Sequence, residues 1–124
     1  MKRDMELIRH ILFFVEENQK DKPLLKIEIE NYDITTINYH IQLMIEANLL
    51  EGGYDGSGRD IQYHRYHVRM TWQGHDFLDA CRDSGRWKQA KDVFAKVGGV
   101  TFDVAVKTLA TIAMDQVKHQ LGLQ

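Results

Sequence analysis

The sequence contains very little cysteine, which can cross-link a chain, and very little proline, which interrupts helices and strands. Among its 124 residues there is one cysteine, Cys81, and one proline, Pro23. A single cysteine excludes an internal disulfide framework and is typical of a reducing compartment. No apolar run reaches the ~18 residues that a membrane-spanning helix needs. The first residues carry charges where a signal peptide needs an apolar stretch. We therefore expect a cytoplasmic protein without a membrane partner.

The sequence also lacks an excess of positive charge. Its formal net charge is −2 and its pI is about 6.3, so no global field attracts nucleic acid or an acidic membrane. Hydrophobic residues make up 44% of the chain and charged residues 27%. That balance is typical of a folded chain with a buried core, and 124 residues support one domain.

Hydrophobic periodicity predicts a buried helix followed by a short strand. Residues 4–18 repeat apolar side chains at helical spacing, and Asp4 can cap the first turn. After a polar loop, Leu25, Ile27 and Ile29 alternate with charged residues. Period-two alternation predicts a half-buried strand here.

A second helix is predicted from about residue 34 to residue 47, with Asp33 or Thr35 as its cap. Asn48 follows it, where a helix-ending residue adopts the left-handed backbone that asparagine tolerates. The buried stripe is predicted to be Ile34, Ile37, Ile41, Met44 and Ile45. The opposite, polar face carries Thr35, Thr36, Asn38, Tyr39, Gln42 and Glu46, without a lysine or arginine.

A two-stranded hairpin is predicted next, with strands over residues 49–54 and about 61–71. Residues 55–58 form a glycine-rich tip that we expect to be mobile. In the return strand the buried face is predicted to be Tyr66, Val68 and Met70, which leaves Arg65, His67 and Arg69 outside. Ile61 and Tyr63 are one step out of phase with that face, which predicts a bulge near His64.

Three helices are predicted to complete the chain. Thr71 caps the first, Trp87 to Val97 form the second, and Thr101 begins the last. The apolar residues of these helices are Phe77, Leu78 and Cys81, then Trp87, Ala90, Phe94 and Val97, then Phe102, Ala105, Val106, Leu109, Ile112, Ala113 and Val117. We expect both tryptophans, Trp72 and Trp87, to lie in the core or at a junction.

The order helix, strand, helix, hairpin, helix is that of a winged-helix domain, a variant of the helix-turn-helix. Residues 40–50, HIQLMIEANLL, resemble a pattern of small bacterial winged-helix repressors, with Asn48 where those have glycine. Residues 68–74, VRMTWQG, resemble the segment that leaves the wing. One feature departs from the standard fold, because the chain between Asn18 and Ile34 is too short for a separate helix before the recognition helix. We expect an α+β, mostly helical fold, with a winged-helix core over 1–83 and a helical extension over 84–124 packed on it.

The resemblance extends to a specific family. The segments MKRDMELIRHIL, YHIQLMIEANLLEG and VRMTWQGHDFLDACRDSGRWKQAK, with a C-terminal helix after Gly98-Gly99, are similar to the small phage- and prophage-associated domain-of-unknown-function family 2513. The resemblance implies a phage-type protein and carries no established activity with it.

Two functions fit the pattern. The first is a DNA-binding or transcription-regulatory protein, whose polar helix face reads base edges of double-stranded DNA while wing arginines neutralise phosphates. The second is a winged-helix module that binds a protein partner, for example a host factor, through the same face. The candidate DNA- or partner-binding residues are Thr35, Thr36, Asn38, Tyr39, Gln42, Arg59, Arg65 and Arg69.

Other chemistry lacks a recognisable pattern. His64 and His67 are an odd number of residues apart on the predicted strand, so they point to opposite faces and cannot share a metal. Cys81 falls on an apolar helix stripe, where a thiol is inert. We therefore expect no metal, no cofactor and no enzymatic activity. We do expect a homodimer through the last helix, whose apolar stripe (Phe102, Ala105, Val106, Leu109, Ile112 and Ala113) is wider than its core contact requires.

Overall fold

The computed structural model describes residues 1–23, 26–56, 60–98 and 101–122, with only the backbone of Gln62 included. Some predictions therefore lie wholly or partly outside the described residues. They concern the mobility of the hairpin tip at Ser57 and Gly58, the placement of Arg59, the strand residue Leu25, and Gly99 before the last helix.

Over the described residues the fold is α+β and mostly helical, as predicted. It contains five α-helices and one two-stranded antiparallel sheet. In chain order the elements are α1 (Met5–Asn18), α2 (Ile34–Glu46), β1 (Leu50–Asp55), a 3₁₀ turn (Ile61–Tyr63), β2 (Arg65–Met70), α3 (Trp72–Cys81), α4 (Ser84–Lys96) and α5 (Phe102–Gln120). None of the described helices is long and apolar enough to cross a membrane.

The first helix begins and lies where its sequence predicts. The Asp4 side chain accepts a hydrogen bond from the Leu7 backbone N–H at 3.1 Å, which caps α1. Its buried side chains are Leu7, Ile8, Ile11, Leu12 and Val15, at the predicted helical spacing.

The second helix is capped at both ends as predicted. Asp33 accepts from the Thr36 N–H at 2.8 Å. Asn48 has φ 61°, in the left-handed region, and the next N–H, from Leu49, donates to the Met44 carbonyl at 2.9 Å. The predicted buried stripe is correct at its centre but wrong at Ile34, which lies in the first turn and is 49% exposed.

The strand predicted around Ile27 is not formed in the described part of that segment. Residues 26–29 pair with no other strand, although Ile27 is buried and the charged side chains beside it are exposed. Alternating burial can arise wherever an extended chain lies on a core, whereas a strand also needs a neighbour for its backbone groups. The described residues between Asn18 and Ile34 also contain no helix, as the sequence predicted.

The hairpin pairs β1 with β2 in a register that runs from Leu50 opposite Met70 to Asp55 opposite Arg65. Tyr66, Val68 and Met70 are buried on one face, as predicted. The predicted bulge near His64 is wrong. Residues 61–63 instead form a 3₁₀ turn, closed by the His64 N–H on the Ile61 carbonyl at 3.1 Å, and this turn accounts for the change of phase.

The start of α3 is held against the end of α2 at a corner with little side-chain bulk. Thr71 donates its backbone N–H to the Leu49 carbonyl at 3.2 Å, and its hydroxyl accepts from the Gly74 N–H at 2.9 Å. A Cβ at Gly74 would lie 2.2 Å from the Leu49 oxygen and 2.6 Å from Met70 Cγ. Glycine is therefore required at position 74 for this close approach.

The chain divides into two compact units, Met1–His75 and Asp76–Gln124. In the second unit, α4 packs on α5 with Trp87, Ala90 and Phe94 buried on the one helix and Ala105, Leu109 and Ile112 on the other. Val97, Val106 and Val117 were predicted to join the apolar stripes, but they are 60%, 39% and 51% exposed. Val97 lies just beyond the end of α4, and Val106 and Val117 lie outside the side of α5 that carries Ala105, Leu109 and Ile112. The predicted division into a core and a packed extension is not tested by these units and stays a prediction.

Candidate functional site

The polar face of α2 is the surface that the sequence singles out, and only part of it faces outward. Thr35, Thr36, Tyr39 and Gln42 are half-buried. Asn38 is 3% exposed, so its predicted position on an exposed face is wrong. The roles of all five residues in binding stay predictions.

Asn38 is buried because its amide is used inside the fold. Its Nδ2 donates to the carbonyl of Ile61 at 2.8 Å and to that of His64 at 3.2 Å. These two carbonyls bracket the 3₁₀ turn that leads into β2, so one side chain holds α2 against the end of the hairpin where Asp55 faces Arg65. An amide saturated in this way has no donor left for a base edge.

A cluster of rings surrounds the next amide of α2, that of Gln42. The Tyr66 hydroxyl donates to Gln42 Oε1 at 3.0 Å, and Nδ1 of His64 lies 3.4 Å from the same hydroxyl. Since the hydroxyl hydrogen is given to Gln42, the tyrosine oxygen accepts from Nδ1–H of His64. This assignment leaves His64 Nε2 as an acceptor, and Nε2 is buried with no partner among the described residues.

The ring cluster is completed by Tyr54, across the hairpin. Its ring stacks on His64 with 3.9 Å between centroids and lies 5.5 Å from the ring of Tyr66. Burial raises the pKa of the Tyr66 phenol, and the negative charge that Tyr54 and Glu46 can carry acts in the same direction. The cluster therefore favours the neutral phenol, which keeps the hydrogen bond from Tyr66 to Gln42.

A second polar network positions α2 relative to the start of α1. His40 is fully buried. Its Nε2 accepts from the Asp4 backbone N–H at 2.8 Å, and its Nδ1 donates to the Thr36 carbonyl at 2.9 Å. The Tyr32 hydroxyl donates to Asp4 Oδ2 at 3.1 Å, and burial together with that hydrogen bond raises the pKa of Tyr32. His40 is thus a structural residue, as an apolar stripe beside it suggests.

The predicted arginines differ in what they can offer a ligand. Arg69 forms an ion pair with Glu51, its cross-strand neighbour, at 2.8 Å between Nη2 and Oε2. Arg65 is exposed, and no carboxylate of the described residues lies within ion-pair distance of it. The wing therefore presents less positive charge than its two described arginines suggest, because Glu51 offsets one of them.

A groove of about 730 Å³ opens beside these polar clusters, and we call it the β2 groove. Three parts of the first unit line it: the extended segment 26–28, one face of α2, and the segment 63–66 with Asp55. The lining residues are Lys26, Ile27, Glu28, Ile34, Asn38, Ile41, Asp55, Tyr63, His64, Arg65 and Tyr66.

The sequence predicted only two of these lining residues as site residues, Asn38 and Arg65. Ile34 and Tyr63 were assigned to the core face and to a strand, yet they are 49% and 65% exposed. The sequence does contain a signal for this site in the run Tyr63-His64-Arg65-Tyr66. This run places three ring side chains and one cation next to the bulge that was predicted near His64.

Other candidate residues do not assemble into a site. No group of three or more histidine, cysteine, aspartate or glutamate side chains in the described segments is placed to hold a metal ion. Cys81 is fully buried, as predicted. Trp87 is 2% exposed and lies in the core, one of the two predicted positions, whereas Trp72, at the start of α3, is 80% exposed and is not a core residue. The alternative that Trp72 lies at a junction stays a prediction.

Comparison with known proteins finds a relative of similar length. It is 28% identical over 124 residues to an uncharacterized protein of Haemophilus influenzae (strain ATCC 51907 / DSM 11121 / KW20 / Rd), an alignment that covers 98% of this chain and 100% of that protein. No solved structure matches. The model of the family described as "Hypothetical protein (DUF2513)" matches residues 2–101. The chain therefore belongs to that family, and α5 lies beyond the matched region.

Proposed function

We propose that this chain is a non-enzymatic, winged-helix-type module that binds a protein partner, and that it takes an extended segment of that partner into the β2 groove. The observation that carries the proposal is the groove itself. It lies between the start of β2 and the extended segment 26–28, and that segment pairs with no strand among the described residues.

Unused backbone groups are the first support. Among the described residues β2 pairs only with β1, so its second edge has N–H and C=O groups without a strand partner. An extended peptide can add itself to such an edge, where main-chain hydrogen bonds supply affinity and side-chain pockets supply specificity.

The rim and charge of the groove define the chemistry of the segment it would accept. Tyr63 and Ile34 expose large apolar surface, which favours apolar side chains in the ligand, and exposed aromatic residues are common anchors of binding energy. The four charged lining residues are two cations and two anions, so the groove has no net sign. The fitting ligand is an extended, apolar-rich segment of near-neutral charge.

His64 adds a specific requirement to that ligand. It lines the groove, and its Nε2 is an acceptor without a partner in the described structure. A buried acceptor without a hydrogen bond costs about 1–3 kcal/mol. A backbone N–H or hydroxyl of the bound segment that donates to Nε2 would therefore stabilise the complex.

Selection from a displayed library of random linear peptides tests the proposal. We expect the purified full chain to enrich apolar-rich extended peptides, and Tyr63→Ala to lose them. His64→Phe keeps the stack on Tyr54 but removes the acceptor, so it should weaken binding about 5- to 100-fold. The matched control is Trp72→Ala, an exposed aromatic outside the groove. No enrichment by the wild type, or loss with Trp72→Ala alone, would contradict the groove as the site.

DNA binding is the rival function, and two features support it: the helix, hairpin, helix order of α2, β1–β2 and α3, which a winged-helix domain also has, and the exposed Arg65 without a described ion pair. Against it stand the net charge of −2 and the internal use of Asn38 and Gln42. Retardation of a random duplex at ~50 mM salt by micromolar protein would favour DNA over the groove. Loss of that retardation in Arg65→Ala would assign the contact to the wing.

A further inference from the structure

The four charged residues that line the β2 groove sum to zero, but they are not equally available to a ligand. Lys26 Nζ lies 3.0 Å from Glu28 Oε1, so these two charges offset each other within the extended segment. Asp55 is opposite Arg65 in the hairpin, yet its Oδ2 lies 3.8 Å from Nδ1 of His67. Arg65 is exposed and has no carboxylate within ion-pair distance among the described residues. One cation without a counter-ion therefore lies at the rim of the groove.

The hydrogen-bond pattern of the hairpin decides which backbone groups of β2 point to its second edge. Thr71 donates its N–H to the Leu49 carbonyl at 3.2 Å, and the hairpin register places these two residues opposite each other. In an antiparallel pair, hydrogen-bonded and non-hydrogen-bonded residue pairs alternate. Arg65 and every second residue up to Thr71 therefore bond β1. The N–H and C=O groups of Tyr66 and Val68 point to the second edge.

A ligand strand at this edge would have a fixed relation to the side chains of β2. The ligand residue opposite Tyr66 would face the buried side of the hairpin, where the Tyr66 ring lies. Its neighbour in the ligand would lie opposite Arg65 and face the other side. Asp55 is on β1, one strand further away, so strand spacing puts it about 10 Å from the ligand, against about 5 Å for Arg65. The ligand residue beside Arg65 therefore meets a cation before it meets a carboxylate.

Given the proposed function, on which this inference rests, we propose that the segment bound in the β2 groove carries an aspartate or glutamate directly beside its apolar anchor residue, and that Arg65 selects this acid. A guanidinium group suits a carboxylate, because two of its N–H groups can donate to the two oxygens in parallel. The apolar residue opposite Tyr66 and the acid opposite Arg65 give the partner segment an alternating pattern. A segment with one such acid is still close to neutral overall.

Selection from the displayed peptide library tests the sign of the charge. Wild type should enrich an acid directly beside an apolar residue, and Arg65→Glu should enrich lysine or arginine at that position instead. Arg69→Glu is the matched control and should keep the wild-type preference, because Arg69 is also exposed on β2 but is paired with Glu51. Enriched peptides without an acid at that position, or the same switch in Arg69→Glu, would overturn the selection by Arg65 and leave the groove as a peptide site. Absence of any enriched peptide would contradict the proposed function itself.

A synthetic peptide from the wild-type selection tests the contact. Arg65→Ala should weaken its binding about 3- to 30-fold. Replacing the peptide's acid by the corresponding amide should cause a similar loss in wild type and no further loss in Arg65→Ala. Circular dichroism must show wild-type helicity in each variant, because both arginines are exposed. Losses that simply add would contradict a direct contact between the acid and Arg65.

Two further arms identify the source of the negative charge. A peptide with an amidated C-terminus should bind as tightly as the free acid, and a loss on amidation would assign the recognised group to a terminal carboxylate instead. Random duplex DNA at ~50 mM salt should not displace the peptide from wild type. Displacement that disappears in Arg65→Ala would assign Arg65 to phosphate and overturn the proposal.

Discussion

At the scale of single residues, buried polar side chains decide how α2 meets its neighbours. His40 uses both ring nitrogens inside the fold, and Asn38 uses its amide on two carbonyls of the segment that leads into β2. The sequence indicated the first, because a histidine beside an apolar stripe usually has a structural partner. It did not indicate the second, since the partners of Asn38 lie 23 and 26 residues away and only the folded chain brings them near.

Replacing Asn38 should therefore reduce stability rather than only change binding. Asn38→Ala leaves two carbonyls without their donor and should lower the free energy of unfolding by about 1–3 kcal/mol. Asn38→Asp should cost more, because it buries a charge that faces two acceptors. Urea unfolding checks both, with the exposed Gln73→Ala as the control that should change little. Equal stability of all three variants would contradict a stabilising role for the two hydrogen bonds of Asn38.

At the scale of elements, the sequence predicted helices better than it predicted strands. Helix ends depend on local partners such as Asp4, Asp33 and Thr71, so a few neighbouring residues contain the information. The alternating pattern around Ile27 predicted correctly which side chains are buried. It could not show whether another strand lies beside this segment. The 3₁₀ turn of residues 61–63 was taken for strand because its residues are apolar and aromatic.

At the end of α2, glycine is expected to have opposite effects on stability at the adjacent positions 47 and 48. Asn48 has φ 61°, so Asn48→Gly should keep or raise stability while Asn48→Ala should lower it by about 1–2 kcal/mol. The matched control is Ala47→Gly, where φ is −85° and glycine should cost about 0.5–1 kcal/mol. Thermal unfolding of the three variants checks this. A loss with Asn48→Gly as large as with Ala47→Gly would be inconsistent with a left-handed cap.

At the scale of the whole molecule, exposure was harder to predict than the order of elements. The helices followed the predicted order, yet Trp72 is exposed where a core or junction residue was expected. Large apolar residues are usually buried, but which side of a helix is covered depends on distant segments. The groove was missed for the same reason, because its three lining parts are far apart in sequence.

The two tryptophans report on these environments, one in each unit. Trp72 is 80% exposed and Trp87 is 2% exposed, edge-on to Phe94 at 6.2 Å. In Trp87→Phe the remaining emission should be red-shifted and readily quenched by iodide. In Trp72→Phe the emission should be blue-shifted and protected. Similar quenching of the two variants would contradict the assignment of Trp72 to the surface.

The corner formed by Leu49, Thr71 and Gly74 fixes the base of the hairpin through backbone groups and leaves no space for a side chain at position 74. The other end of the hairpin, where Asp55 faces Arg65, is anchored as well, because Asn38 bonds the Ile61 and His64 carbonyls and Tyr66 bonds Gln42. Each pair of residues added to both strands would move these partners roughly 7 Å along α2 and break the bonds. The spacing between the two anchors therefore fixes the length of the strands.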